Sequence, residues 1–399
     1  MDRRNFMKST VAGFSLMSSS DLLEQMLNNP QKKNIQSLSL RRRVRDLGIK
    51  IGTLETGPNN ALTDVQGVRV GQTTIIKGKG KGAVRTGVTV ILPHEGNIYE
   101  ENLFASYFNL NGWGEMTGIA AVENSGKLKT PIFLTGTYNV GIVYDAAVKY
   151  LMKKYPGMGS VDDMVNPVVA ECFDDFLSDT RIRMISEKDV FQAIEKATNG
   201  PVEEGVVGGG TGMTSFGFKG GIGTSSRKIS DKYTVGVLVM ANTASRSELH
   251  IDGVPVGKEI KGFYEKSGKT KSIILVAATD APLLPFQLRK ISKRVALGLA
   301  QTGAISHSGS GDIIIAFSTA NKIPRNKSSS FQNIKSINDF WITPLYQATV
   351  EATQEAIINA LTSAKTIVGR DNNTAYGIPL DQVKHIMRKH LRIGEENYE

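Results

Sequence analysis

The residues that can do chemistry lie in two short stretches. Ser272 heads the run Ser272-Ile273-Ile274-Leu275-Val276-Ala277-Ala278-Thr279, which meets Asp280 and then Pro282 and Pro285. An apolar run of this length, stopped by prolines, reads as a buried strand, and by periodicity alone Ser272 is no more than its polar first residue. A serine hydroxyl is a poor nucleophile unless a base takes its proton. The chain has only five histidines to offer: His94, His250, His307, His385 and His390. The second stretch is His307-Ser308-Gly309-Ser310-Gly311-Asp312, followed by the apolar residues 313–317. Its glycines expose Ser310 and let Asp312 turn inward before another buried strand, with His307 close by as a rival base.

Groups of this kind need strands with sharp ends and close corners. Residues 60–71 alternate and are broken by glycine, which favours strands with sharp corners. Residues 77–82 read as an exposed hairpin tip, and residues 87–93 as a β-branched strand ended by Pro93. The glycine cluster at 111–118 contains Glu115 and precedes two apolar runs of strand type, 119–122 and 131–135. Residues 139–153 carry apolar side chains at helical spacing, 167–175 (with Glu171 and Cys172) read as a strand meeting polar residues, and 186–199 as a helix capped by Ser186. Residues 235–242 form a buried-type strand ending at Asn242, an amide that at a strand exit is often only a turn former. Residues 253–271 are rich in lysine and glycine and read as an exposed, mobile loop.

Beyond Pro285, read as a stop, residues 287–302 form an amphipathic helix. Leu288, Ile291, Val295, Leu297 and Leu299 lie near one face, and Arg289, Lys290, Lys293 and Arg294 on a solvated one. A long helix follows at 341–364, and the tail from His385 reads as charged and peripheral.

Glycine is densest at 205–227, with Gly208-Gly209-Gly210-Thr211-Gly212 and then Lys219-Gly220-Gly221. A phosphate loop requires Ser or Thr after its lysine, and the dinucleotide fingerprint requires a third glycine; neither is present, so a nucleotide site is weakly supported. Either Gly209 and Gly210 bring backbone amides close to a substrate, or they are tight corners.

The Ser272 run, with the segments at 60–71, 111–118, 205–227, 242, 307–319 and 369–371 in the same order, resembles the DmpA-type aminopeptidases. That family comprises the L-aminopeptidase/D-amidase-esterases and the β-peptidyl aminopeptidases, and the likeness runs from about Arg41 to Pro379. The resemblance implies an α/β fold, the four-layer α/β/β/α sandwich of N-terminal-nucleophile hydrolases. It implies a precursor that cuts itself between Lys271 and Ser272, giving a larger chain, 41–271, and a smaller one, 272–399. The freed α-amine of Ser272, with an ordinary pKa of roughly 7.7–8, would then be the base. Asn242 would stabilise the oxyanion, Asp312 would hold the ammonium of Ser272, and Ser310 would relay or orient a proton.

The substrates implied are short peptides, amides or esters, and no cofactor or metal is needed. An aminopeptidase also needs an anion for the substrate ammonium; Glu115 and Glu171 are candidates, each equally readable as a surface or structural carboxylate. A homo-oligomer of processed pairs is expected. Lys271 stands where some relatives have a small residue, which bears on cleavage efficiency. Nylon-oligomer hydrolases and ornithine acetyltransferases are the neighbouring alternative, but they use threonine where this chain has Ser272. An uncut binding protein of the same fold is the other.

Composition narrows the rest. The single cysteine, Cys172, excludes an intrachain disulfide framework and a multi-cysteine metal site, and it reads as a small buried apolar residue. Of the net charge of +10, residues 1–50 carry +6, with ten Lys/Arg against four Asp/Glu, so the basic balance is terminal and nucleic acid is not an expected partner. Arg3-Arg4-Asn5-Phe6-Met7-Lys8 resembles a twin-arginine export motif, so 1–40 reads as export leader and linker and the protein as periplasmic or exported; otherwise it is cytoplasmic. No run approaches the roughly 18 apolar residues of a membrane span, so no membrane association is expected once the leader is removed.

Overall fold

Period-two alternation of aliphatic residues builds two sheets that lie face to face. The computed structural model describes residues 41–159, 164–263, 271–325 and 329–393. The leader and linker expected at 1–40, and residues 264–270 of the segment before Ser272, lie outside the described residues.

The strands are β1 (Arg69–Lys77), β2 (Val84–Leu92), β3 (Glu101–Gly112), β4 (Lys127–Leu128), β5 (Ile132–Gly136), β6 (Val168–Cys172), the short pair β7 (Thr214–Ser215) and β8 (Phe218–Lys219), then β9 (Gly221–Ile229), β10 (Tyr233–Asn242), β11 (Ser272–Thr279) and β12 (Gly311–Pro324). One sheet has the order β1-β2-β5-β6 and the other β4-β3-β12-β11-β10-β9. Pairing is antiparallel except for β5 with β6 and β11 with β12. The helices are α1 (Ile119–Ser125), α2 (Val140–Lys154), α3 (Glu187–Glu195), α4 (Pro285–Gln301), α5 (Thr343–Thr362) and α6 (Leu380–Lys389).

Alternation sorts each central strand between two apolar layers. On β11, Ile274, Val276 and Ala278 face the other sheet, where Leu134, Ala170 and Cys172 meet them. Ile273, Leu275 and Ala277 face Leu288, Ile291 and Val295 of α4 and Ala348, Ala352 and Ala356 of α5. On the far side, Val88, Val90 and Phe133 pack under Val143, Ala146 and Ala147 of α2 and Val190, Ala193 and Ile194 of α3. The result is an α/β/β/α sandwich with three apolar interfaces, as expected. Cys172 is fully buried in the middle one, where burial pushes its thiol pKa up.

Several local expectations are corrected. Residues 119–122 belong to the helix α1 rather than to a strand, because Gly118 and Gly126 (φ 76° and 66°) bend the chain in and out of it. Of residues 60–71 only Arg69 onward is strand; Leu62–Asp64 is a 3₁₀ turn. Pro285 opens α4 instead of stopping the chain, with Gln287 Oε1 accepting from Leu284 N (2.9 Å). Leu297 is exposed. Val254, Val256 and Ile260 are buried around a one-turn helix, Val256–Glu259, so the first part of the segment before Ser272 is packed. The C-terminal stretch forms α6, whose Val383, Ile386 and Met387 enter the core.

Candidate active site

Three adjacent strands bring the candidate residues into one row. Asn242, the last residue of β10, is paired with Ser272, the first of β11, and Ser272 with Gly311, the first of β12. Ser272 is 5% exposed. Its Oγ donates to the carbonyl oxygen of Lys271 (2.6 Å), the residue it follows. The Gly311 N–H points at the same place, 3.2 Å from Ser272 Oγ and 3.2 Å from Lys271 O. This approach needs glycine: a Cβ on Gly311 would stand 2.6 Å from Gly114 Cα.

Ser310 and Asp312 flank that amide, both fully buried, with Ser310 Oγ donating to Asp312 Oδ1 at 2.5 Å. Burial lifts the Asp312 carboxyl above its usual range, and the Ser310 hydrogen bond opposes the rise. His307 is turned elsewhere. Its Nε2 lies 2.9 Å from a Glu248 oxygen, while its carbonyl accepts from Ser310 N (2.8 Å) and Asn111 Nδ2 (2.6 Å).

Asn242 is 2% exposed. Its Oδ1 accepts from Thr214 N (2.8 Å) and its Nδ2 donates to Phe173 O (3.1 Å). The opposed donor and acceptor fix which atom is which. One Nδ2 hydrogen is engaged by Phe173, and a second remains to donate.

Glu171 is 4% exposed, its Oε1 accepting from Glu115 N (2.9 Å) and its Oε2 from Thr137 Oγ1. Burial raises its pKa against those two bonds. Its Oε1 lies beside Gly114, and so behind Gly311. Glu115 is exposed and touches Glu171 through backbone, with Glu171 N donating to Glu115 O (3.2 Å). Gly209 and Gly210 are buried, the first against Leu134 and Met240, the second against Gly221 and Ile222.

A residue that no sequence motif singles out stands behind this row. Lys219, which the glycine-rich segment offers only as a phosphate-loop lysine, is fully buried and donates to Gly210 O (3.1 Å), Met213 O (2.6 Å) and Gly220 O (2.9 Å). The available signal was its position between Phe218 and a glycine pair, on a strand too apolar for a solvated lysine.

A sandwich of this layering, with a serine opening a central strand beside amide donors from both neighbours, has the architecture of the N-terminal-nucleophile hydrolases. Known proteins agree. The chain is 42% identical to the β-peptidyl aminopeptidase BapA of Sphingosinicella xenopeptidilytica, over 87% of this chain and 91% of that one. Among solved structures, a β-aminopeptidase from Burkholderia sp. superposes with a TM-score of 0.83 at 38% identity, covering 89% of this chain and 100% of that one. The L-aminopeptidase D-Ala-esterase/amidase of Ochrobactrum anthropi, described as a variant of the Ntn hydrolase fold, gives 0.82 at 37% identity, with 88% and 99% covered.

The profile of Peptidase family S58 matches residues 60–375, and the chain belongs to that family. It is a self-processing serine aminopeptidase.

Proposed function

We propose that Ser272 is both the scissile-bond nucleophile and, after cleavage, the catalytic N-terminus, and that the enzyme removes N-terminal β-amino-acid residues from short peptides and amides. The observation that carries the first half is the contact of Ser272 Oγ with the Lys271 carbonyl under the Gly311 N–H. In the precursor no free α-amine exists, so the Ser310–Asp312 pair takes the hydroxyl proton. Ser272 Oγ adds to the Lys271 carbonyl carbon, the C–N bond breaks with a proton delivered to the nitrogen, and an ester links Lys271 to Ser272. Water hydrolyses that ester, leaving a Lys271 carboxylate and a Ser272 with free hydroxyl and free amine.

In turnover the amine takes the Ser272 hydroxyl proton and returns it to the leaving group, while Asn242 Nδ2 and the Gly311 N–H stabilise the oxyanion. Asp312 holds the α-ammonium that forms, and Ser310 orients the proton. Glu115, exposed beside the buried Glu171, takes the substrate ammonium; both Glu171 oxygens already accept hydrogen bonds. Preference for β-residues is supported by the likeness to proteins named β-peptidyl aminopeptidase at 42% and 40% identity.

One experiment tests both halves. Purified protein should resolve into two unequal bands on a denaturing gel, and Ser272→Ala should stay whole. β-Alanyl p-nitroanilide should be turned over faster than the L-alanyl and D-alanyl compounds. An intact, fully active chain removes the mechanism; an L-alanyl preference removes only the specificity.

A further inference from the structure

We propose that Lys219 is a positioning residue for this chemistry: its ammonium, acting through one peptide group, holds and polarises the Asn242 amide as an oxyanion donor. The inference rests on the reading of Asn242 given above. Its basis is a continuous polar chain. Lys219 Nζ donates to Met213 O at 2.6 Å. The N–H of the same peptide unit, that of Thr214, donates to Asn242 Oδ1 at 2.8 Å. A peptide group is planar, with its C=O and N–H pointing opposite ways, so the ammonium and the Asn242 carbonyl sit at the two ends of one dipole.

Each member of such a chain strengthens the next. A cation on the Met213 oxygen draws electron density from the Thr214 N–H, which then draws harder on Asn242 Oδ1, and the Asn242 Nδ2–H becomes a better donor. The group is dry, since Lys219, Met213, Thr214 and Asn242 are all 2% exposed or less, so water does not screen the effect.

The charge itself follows from geometry. Three carbonyls, of Gly210, Met213 and Gly220, stand within 3.1 Å of Nζ. Only an ammonium has three N–H donors, whereas a neutral amine has two. Burial pulls the pKa down to about 7 against the opposing pull of the nearby Asp174, and only the protonated form has a donor for each of the three carbonyls. Packing alone does not account for a buried cation here, because a neutral donor or an ordered water would satisfy the same carbonyls without the cost of desolvating a charge.

The rival explanation is that Lys219 merely struts the glycine loop. Lys219→Gln keeps N–H donors but removes the charge. It is compared with Asn242→Ala and the double variant, with kcat counted per cleaved chain. Asn242→Ala is expected to lose about 10²–10³ in kcat, as for other single oxyanion donors. Lys219→Gln should lose roughly tenfold or more in kcat with KM nearly unchanged, and no further loss should appear when it is added to Asn242→Ala. Losses that multiply in the double variant, or a Lys219→Gln enzyme with wild-type kcat beside a crippled Asn242→Ala, overturn the role of Lys219 alone. An Asn242→Ala enzyme with full kcat overturns the oxyanion reading and this inference with it. Should a variant fail to fold, wild-type protein is titrated with the boronic-acid analogue of alanine while the Lys219 ¹⁵Nζ and Asn242 side-chain amide resonances are followed. Both must shift together; an indifferent Lys219 signal overturns the proposal.

Discussion

Asp174 is 2% exposed, packed against the backbone at Gly136 and Gly212, and burial lifts its carboxyl to about 7. Its unfolded value is about 3.9. Between roughly pH 4 and 7 the folded state therefore holds more protons than the unfolded one, and stability falls as pH rises through that window. The whole excursion amounts to about 4 kcal/mol at most. Lys219, lowered to about 7, acts in the next window: from there to roughly pH 10 the folded state holds fewer protons, and stability rises with pH. Asp174→Asn should thus gain on the wild type by about 2–4 kcal/mol between pH 4.5 and 7.5 in urea titrations. Parallel curves for the two proteins would contradict the assignment. At this scale the sequence makes Ser272 legible as the polar first residue of a buried strand, and its role as nucleophile comes only with the family likeness. Asn242 and Asp312 were assigned roles only through family likeness, since an amide at a strand exit and an acid after glycine are common turn chemistry. Lys219 escaped because its meaning depends on carbonyls from three separate points of a loop.

Helix α5 is buried nearly all round, which for a helix carrying Glu351 and Glu355 demands compensation. Arg227 on β9 provides it, 2.6 Å from Glu355 and 3.1 Å from Glu351, with Arg45 a further partner of Glu355 at 2.8 Å. Burial pushes Glu355 up, and Arg227 with Arg45 outweigh it, leaving the carboxyl below its usual range. Arg227→Met takes one of two guanidinium partners from the fully buried Glu355 carboxylate and should cost about 3 kcal/mol in urea unfolding. Adding Glu355→Gln should recover part of that; an Arg227→Met protein as stable as the wild type would refute the account. This ion cluster was not foreseeable, because 227 and 355 meet only once β9 lies under α5. Long periodic elements were legible: the expected helices at 139–153, 186–199, 287–302 and 341–364 appear as α2, α3, α4 and α5. Short ones were not. Four apolar residues after Gly118 fit a strand or a helical turn equally well, and the two flanking left-handed glycines decide for the helix. The tail from His385 reads as peripheral because Ile386 and Met387, which with Val383 make the buried stripe of α6, stand among charged residues.

Cleavage ahead of Ser272 would divide the molecule without dividing its core. The six-stranded sheet runs β4-β3-β12-β11-β10-β9, so β11 and β12, which begin at or beyond Ser272, sit between β3 and β10, which precede it. Helices α4 and α5 cover the same sheet from the smaller part, and their apolar residues share one cluster with Val235, Val237 and Val239 of β10. Ladder hydrogen bonds on both flanks and apolar contact on both faces therefore join the two parts. β11 is buried along its whole length, so a separated smaller chain would bare apolar surface on both sides of two strands. Fully processed protein should thus elute from a native sizing column as one species containing both fragments. The fragments should part only in denaturant, and the smaller one should aggregate when denaturant is removed in the absence of the larger. Two native peaks, or a smaller fragment that folds alone, would show that the interleaved sheet does not bind the halves. The free Ser272 amine would then lack the fixed row of Asn242 and Gly311 on which its reactivity depends.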